Sequence, residues 1–136
     1  MFKTILVPIE IGNADAANNT IDIAATNGNE DTRIILLNVV EEIPKWAAVE
    51  LPEDLQNKSF LNSKQALTNI AAASSVKTEV DVRIGHPYHT ILEVAEETGA
   101  ELIVITSHKP GLQDYLLGST AAKVVRHANC CVLVVR

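Results

Sequence analysis

Cysteine is nearly missing from this chain of 136 residues: there are two, Cys130 and Cys131, side by side. A bridge between neighbours needs a strained ring and closes no loop, so a disulfide framework is excluded and a reducing, cytoplasmic setting is expected. No C-x-x-C pair is present, and two adjacent cysteines in an apolar run read as small core hydrophobes. Basic residues are also in deficit, 11 Lys and Arg against 17 Asp and Glu, for a net charge of -6. They are scattered singly from Lys3 to Arg136, which excludes a groove for the nucleic-acid backbone. No apolar run approaches 18 residues, and no basic leader stands before Lys3, so neither export nor a membrane span is expected. Glycine motifs of the GxGxxG and GxSxG types and the HExxH motif are absent. Gly111 to Gly118 followed by Ser119-Thr120 looks superficially like a phosphate loop, but six residues separate the glycines and the Lys is missing.

What is present is apolar: 47% hydrophobic residues against 21% charged. That composition excludes global disorder, and the length suits one domain spanning residues 1–136. Thr4 to Pro8 is a short run of branched residues ended by Pro, the pattern of a strand buried on both faces. From Asn13, a cap residue, Ala17, Ile21 and Ala24 recur at helical spacing up to Gly28. Arg33 to Val40 reads as a second strand. Lys77 to Ile84 reads as a third, with Val76, Val80, Val82 and Ile84 on one face. Between them, Glu41 to Pro52 reads as a loop whose single tryptophan, Trp46, packs as a lid or contact residue, and Asp54 to Ala73 reads as a long helix. Pro87 opens a helix that Gly99 stops, Glu101 to Thr106 is a fourth strand, Gly118-Ser119 opens a helix through His127, and Cys131 to Arg136 is a fifth strand. Strict alternation of strand and helix implies right-handed crossovers, a parallel sheet and helices on both of its faces, an α/β three-layer sandwich.

In such a sheet ligands bind beyond the carboxyl ends of the strands, where strand order reverses. The candidates are Pro8, Ile9 and Glu10 after strand one, Val39 and Val40 after strand two, and Thr106, Ser107, His108 and Lys109 after strand four. Gly118, Ser119 and Thr120 begin a helix, whose N–H groups and dipole favour an anion, and Lys123 lies four residues beyond Ser119. The alternative is that Ser119 or Thr120 merely caps the helix and Lys123 is solvated. A phosphate-accepting receiver would need an acidic pair after strand one and an Asp after strand three, but the chain offers Glu10 alone and Arg83-Ile84-Gly85. Of the four histidines, His86 and His89 flank Pro87 and His127 sits near a helix C-terminus, all structural positions; His108 alone falls in the cleft, with no nucleophile and base around it. No catalytic residue and no metal ligand is assigned.

Taken together, Ile5-Leu6-Val7-Pro8, Gly85-His86-Pro87, Glu101 to Ile105, and Leu117-Gly118-Ser119 through Val132 to Val135 give the chain a strong resemblance to the universal stress protein family. Within it the resemblance is strongest to the F/G subgroup, through Ser107-His108-Lys109-Pro110 and Val124-Val125-Arg126-His127-Ala128. The resemblance implies an adenine nucleotide alpha hydrolase-like fold with a five-stranded parallel sheet of order 3-2-1-4-5, cytoplasmic homodimers, and ATP or AMP, with or without Mg²⁺, as a regulatory ligand of a stress-response module. The family's motif is Gly, two residues, Gly, nine residues, then Gly-Ser or Gly-Thr. Here Gly118-Ser119 closes it, Thr106 and Lys109 stand for the first two glycines, and eight residues separate Lys109 from Gly118. By that resemblance adenine lies against Pro8, Ile9 and Val39 or Val40 with Glu10 at its polar edge, and phosphates meet Ser107, Lys109, Gly118, Ser119 and Thr120. A family member that has lost the nucleotide through its altered glycines is the alternative, a dimeric scaffold of the same fold. Strand five, residues 131–135, is uncharged and apolar on both faces at a sheet edge, which predicts antiparallel pairing with a second copy.

Overall fold

The computed structural model describes residues 1–51, 54–107 and 118–136. Five strands, β1 (Thr4–Pro8), β2 (Arg33–Glu41), β3 (Glu79–Gly85), β4 (Leu102–Thr106) and β5 (Cys131–Val135), form one parallel sheet in the order β3-β2-β1-β4-β5. Five helices connect them: α1 (Ala14–Thr26), α2 (Lys45–Ala48), α3 (Leu55–Ala73), α4 (Pro87–Thr98) and α5 (Ser119–His127).

The period of two in a strand divides the apolar residues between the sheet's two faces. Ile5 and Val7 of β1, Ile34 and Leu36 of β2, and Leu102 and Val104 of β4 pack with Ala17, Ile21 and Ala24 of α1 and Leu67 of α3. Leu6, Ile35, Leu37, Ile103 and Ile105 turn the other way, against Ile91 and Val94 of α4 and Ala121 and Val124 of α5. Ile5, Leu6 and Val7 are fully buried, which is why β1 reads as a continuous apolar run. β5 follows the same division: Leu133 and Val135 join the first face, Val132 and Val134 the second. Its apolar character on both faces is therefore accounted for by the chain's own helices. Val132 and Val134 are core contacts.

Local signals set the helix ends. The Asn13 side chain accepts from the Ala16 N–H at 3.1 Å and caps α1. Pro87 occupies the first turn of α4, and Gly99, at φ 67°, takes the left-handed conformation that ends it. Gly85 is required for a different reason. A Cβ there would lie 2.6 Å from Thr90 Oγ1, so a side chain at 85 would force Thr90 to shift where β3 meets the start of α4.

Several boundaries and contacts differ from expectation. β3 starts at Glu79, two residues after Lys77, because pairing with β2 begins at Ile35 opposite Glu79, and it continues to Gly85 opposite Glu41. Val76, Val80 and Val82 pack on the first face as their alternation requires, but Ile84 is 41% exposed. The connection after β2 contains the single turn α2, and Trp46 in it is 81% exposed, so among the described residues it does not pack down as a lid. Of the two cysteines, Cys130 is half-buried on the second face, where burial and then the neighbouring Cys131 push its thiol up, but Cys131 is exposed at the first position of an edge strand. Both are free thiols. Pro52 and the segment 108–117 lie outside the described residues. Among the described residues no helix is long and apolar enough to cross a membrane.

Candidate functional site

β1 is flanked by β2 on one side and β4 on the other, so chain direction through the sheet reverses between β1 and β4. Beyond their carboxyl ends lies a cleft of about 230 Å³. Pro8, Ile9 and Glu10 form one wall where the chain leaves β1. Leu37, Asn38, Val39 and Glu41 of β2 form a second, and Ile105 and Thr106 of β4 a third. Thr120 from the first turn of α5 and Pro87 from the first turn of α4 complete the rim.

Hydrogen bonds fix this frame. Ile9 donates its N–H to the Leu37 carbonyl at 2.8 Å, and its own carbonyl accepts from Asn38 Nδ2 at 2.8 Å, which ties the exit of β1 to β2. On the opposite wall Thr106 Oγ1 lies 2.8 Å from Thr20 Oγ1 of α1. Ser107, the next residue, accepts the Gly118 N–H on its Oγ at 2.8 Å and so joins the end of β4 to the start of α5. The helical ladder of α5 begins with the Ala122 N–H on the Gly118 carbonyl at 2.9 Å. The N–H groups of Ser119, Thr120 and Ala121 precede that ladder at the positive end of the helix dipole. Gly118 itself has φ -62°, and a Cβ added to it would meet only Ser107 Oγ, at 3.8 Å. Among the described residues, therefore, a side chain at this position meets no close contact.

A family model described as the Universal stress protein family matches residues 1–136. The chain belongs to this family. Universal stress protein G of Escherichia coli O157:H7 is 32% identical over 146 residues, covering 100% of both chains. Among solved structures, hypothetical protein MJ0577 is 31% identical with a TM-score of 0.78, covering 99% of this chain and 96% of its own. The universal stress protein UspA from Lactobacillus plantarum is 25% identical with a TM-score of 0.76, over 98% of this chain and 97% of that one.

This universal stress protein brings Pro8, Ile9, Glu10, Val39, Thr106 and Thr120 together around one cleft. Val40 is not in its lining. Ser107 and Gly118 stand behind the lining, bonded to each other, and Ser119 is exposed at the start of α5. His108 and Lys109 lie outside the described residues. Lys123 does not extend the site: its Nζ sits 5.0 Å above the centre of the Tyr88 ring, because that ring on α4 offers its electron-rich face to a cation across the α4–α5 contact. Tyr88 in turn stacks on His89 and His127, which gives those histidines and His86 a packing role.

Sequence reasoning missed Asn38, Glu41 and Thr20. Glu41 was within reach of it, being two residues from Val39 and hence on the same strand face. Thr20 had a signal too, as a polar residue on the stripe of Ala17, Ile21 and Ala24; it is only 1% exposed. Among the described residues no cluster of His, Cys, Asp or Glu is placed to hold a metal ion.

Proposed function

We propose that the cleft binds an adenine nucleotide, ATP or AMP, as a regulatory ligand of a cytoplasmic stress-response module formed by residues 1–136. The observation that carries this reading is the succession of chemistries along one cleft at the reversal of strand order. An apolar wall of Ile9, Leu37 and Val39 suits a purine face, and the carboxylates of Glu10 and Glu41 accept from its amino group or from sugar hydroxyls. At the other end, Thr120 and the N–H groups that begin α5 suit phosphate. Two further universal stress proteins support the choice of base. One was solved in complex with cAMP (22% identical, TM-score 0.66) and one, from Archaeoglobus fulgidus, in complex with dAMP (16% identical, TM-score 0.63). Those likenesses establish the shared fold, and the ligands are those proteins' own.

In this reading Pro8, Ile9, Glu10 and Val39 hold the base, with Val40 buttressing the strand, and Ser107, His108, Lys109, Gly118, Ser119 and Thr120 surround the phosphates. The ligand acts by binding, with Mg²⁺ accompanying ATP. The functional unit is a homodimer paired through the outer edge of β5, where no other strand pairs among the described residues.

Calorimetric titration of nucleotide-stripped protein with ATP, ADP and AMP, and with GTP as the contrast, tests the proposal. Saturable binding of an adenine nucleotide is expected. Absence of heat with all three, or equal affinity for GTP, refutes it.

A further inference from the structure

The hydroxyls of Thr20 and Thr106 form a relay whose proton positions follow from counting. Thr20 Oγ1 lies 2.9 Å from the Ala16 carbonyl and 2.8 Å from Thr106 Oγ1. A carbonyl oxygen has no proton, so the arrangement that makes both contacts as hydrogen bonds has the Thr20 hydroxyl donating to Ala16 and accepting from Thr106. The contact between the two hydroxyls is therefore donated by Thr106. A hydroxyl carries one proton and two lone pairs, and with that proton turned towards the buried Thr20, Thr106 presents lone pairs alone to the cleft.

The two carboxylates of the cleft, Glu10 and Glu41, have the same bias. Both are acceptors, while Asn38, with one of its two amide protons on the Ile9 carbonyl, Asn13 and Thr120 can each still donate. An adenine nucleotide has only two kinds of donor to set against acceptors, its amino group and its sugar hydroxyls. Position decides between them. Thr106 is adjacent to Ser107, which holds the start of α5, whereas the apolar wall for the base is built from the ends of β1 and β2. The group against Thr106 is the one between base and phosphate.

We infer that Thr106, oriented by Thr20, faces the cleft as a hydrogen-bond acceptor and selects nucleotides that keep their ribose hydroxyls over deoxy analogues. This rests on the cleft being an adenine-nucleotide site. A deoxy sugar offers no proton there, and turning Thr106 to suit it costs either the bond to Thr20 or, if the Thr20 proton follows, the bond from Thr20 to the Ala16 carbonyl.

The test is titration of the full chain with AMP, 2′-deoxy-AMP and 3′-deoxy-AMP. At least one deoxy analogue binds the parent about tenfold more weakly than AMP, the worth of one hydrogen bond whose buried acceptor is left unpaired. Thr106→Val keeps the shape, removes the lone pairs and brings the ratio to within about twofold. Thr20 is a positioning residue. Thr20→Ser retains the hydroxyl and the preference, whereas Thr20→Val frees the Thr106 proton and lowers the ratio; a purely structural role for Thr20 would weaken all three ligands alike. If AMP binds the parent without preference over either analogue, or Thr106→Val leaves the ratio unchanged, this inference is overturned and the nucleotide reading stands. If none of the three ligands binds, both fall together.

Discussion

Gly118→Asp should separate folding from binding in opposite directions. The backbone at Gly118 has φ -62°, which any residue adopts, and among the described residues the new Cβ meets only Ser107 Oγ, at an ordinary contact distance of 3.8 Å. Gly118 is the N-cap of α5 and makes no side-chain cap there. An Asp at that position accepts from the N–H groups of the first turn, worth a few tenths of a kcal/mol over Gly, and its charge adds about 0.3–1 kcal/mol with the dipole. The melting temperature should therefore hold or rise by roughly 1–4 °C. The same carboxylate occupies the donors that phosphate needs and repels it. One pair of like charges about 4 Å apart contributes about 1–4 kcal/mol across effective dielectric constants between those of water and a protein surface. The expected loss of ATP affinity is therefore about five- to several-hundredfold. Thermal unfolding by circular dichroism and calorimetric titration measure the two effects, with Gly118→Asn as the uncharged isostere that loses less. An Asp variant that binds ATP within about twofold of the parent would place the phosphates away from α5 and refute the reasoning.

Gly85→Ala should lower stability by about 1–3 kcal/mol in urea titration, since its Cβ would lie 2.6 Å from Thr90 Oγ1; Thr90→Ala in the same chain should recover much of the loss. The Glu79 carboxyl is held below its usual range by hydrogen bonds from Arg33, and that of Glu97 by one from Arg83, which also pairs with Asp81. A carboxylate depressed in the folded state contributes stability above the ordinary value of 4.5 and loses it as pH falls through the folded value. Replacing both by Gln should flatten the acid limb of the urea midpoint against pH, and an unchanged limb would assign it to other groups. For assembly, the Ser107 N–H reaches the Val135 carbonyl at 2.8 Å, so the backbone groups of Val135 and Leu133 face β4 and those of Val134 face the outer edge. Val134→Pro removes an outward donor and should give monomers in sedimentation where Val134→Ala remains dimeric; a parent that sediments as a monomer at micromolar concentration would sink the pairing through β5.

What the sequence carried well was whatever a short window can encode. Thr4 to Pro8 and Glu101 to Thr106 are unmistakable because strands buried on both faces need unbroken branched apolar residues, and Pro87 with Gly99 brackets α4 by local chemistry. α2 escaped because four residues are too few for a period, and β3 began late because strand ends are decided by a partner backbone. At the site, the ends of β1, β2 and β4 were legible from topology alone. Lys123 went astray because spacing along α5 cannot report the Tyr88 ring on another helix. The Thr20–Thr106 bond joins residues 86 apart, and nothing local announces it.

The exposure of Trp46 has a consequence for how this protein is observed. It is the only tryptophan, and at 81% exposure its indole already sits in nearly the solvent environment of an unfolded chain. Its emission will be red-shifted in the native state and will move little on denaturation, so fluorescence will under-report unfolding that circular dichroism records in full. The same indole follows β2, five residues beyond the cleft carboxylate of Glu41, and among the described residues it joins neither core cluster. A blue shift on adding a ligand would thus report the covering of that surface, against a background that folding itself leaves almost silent.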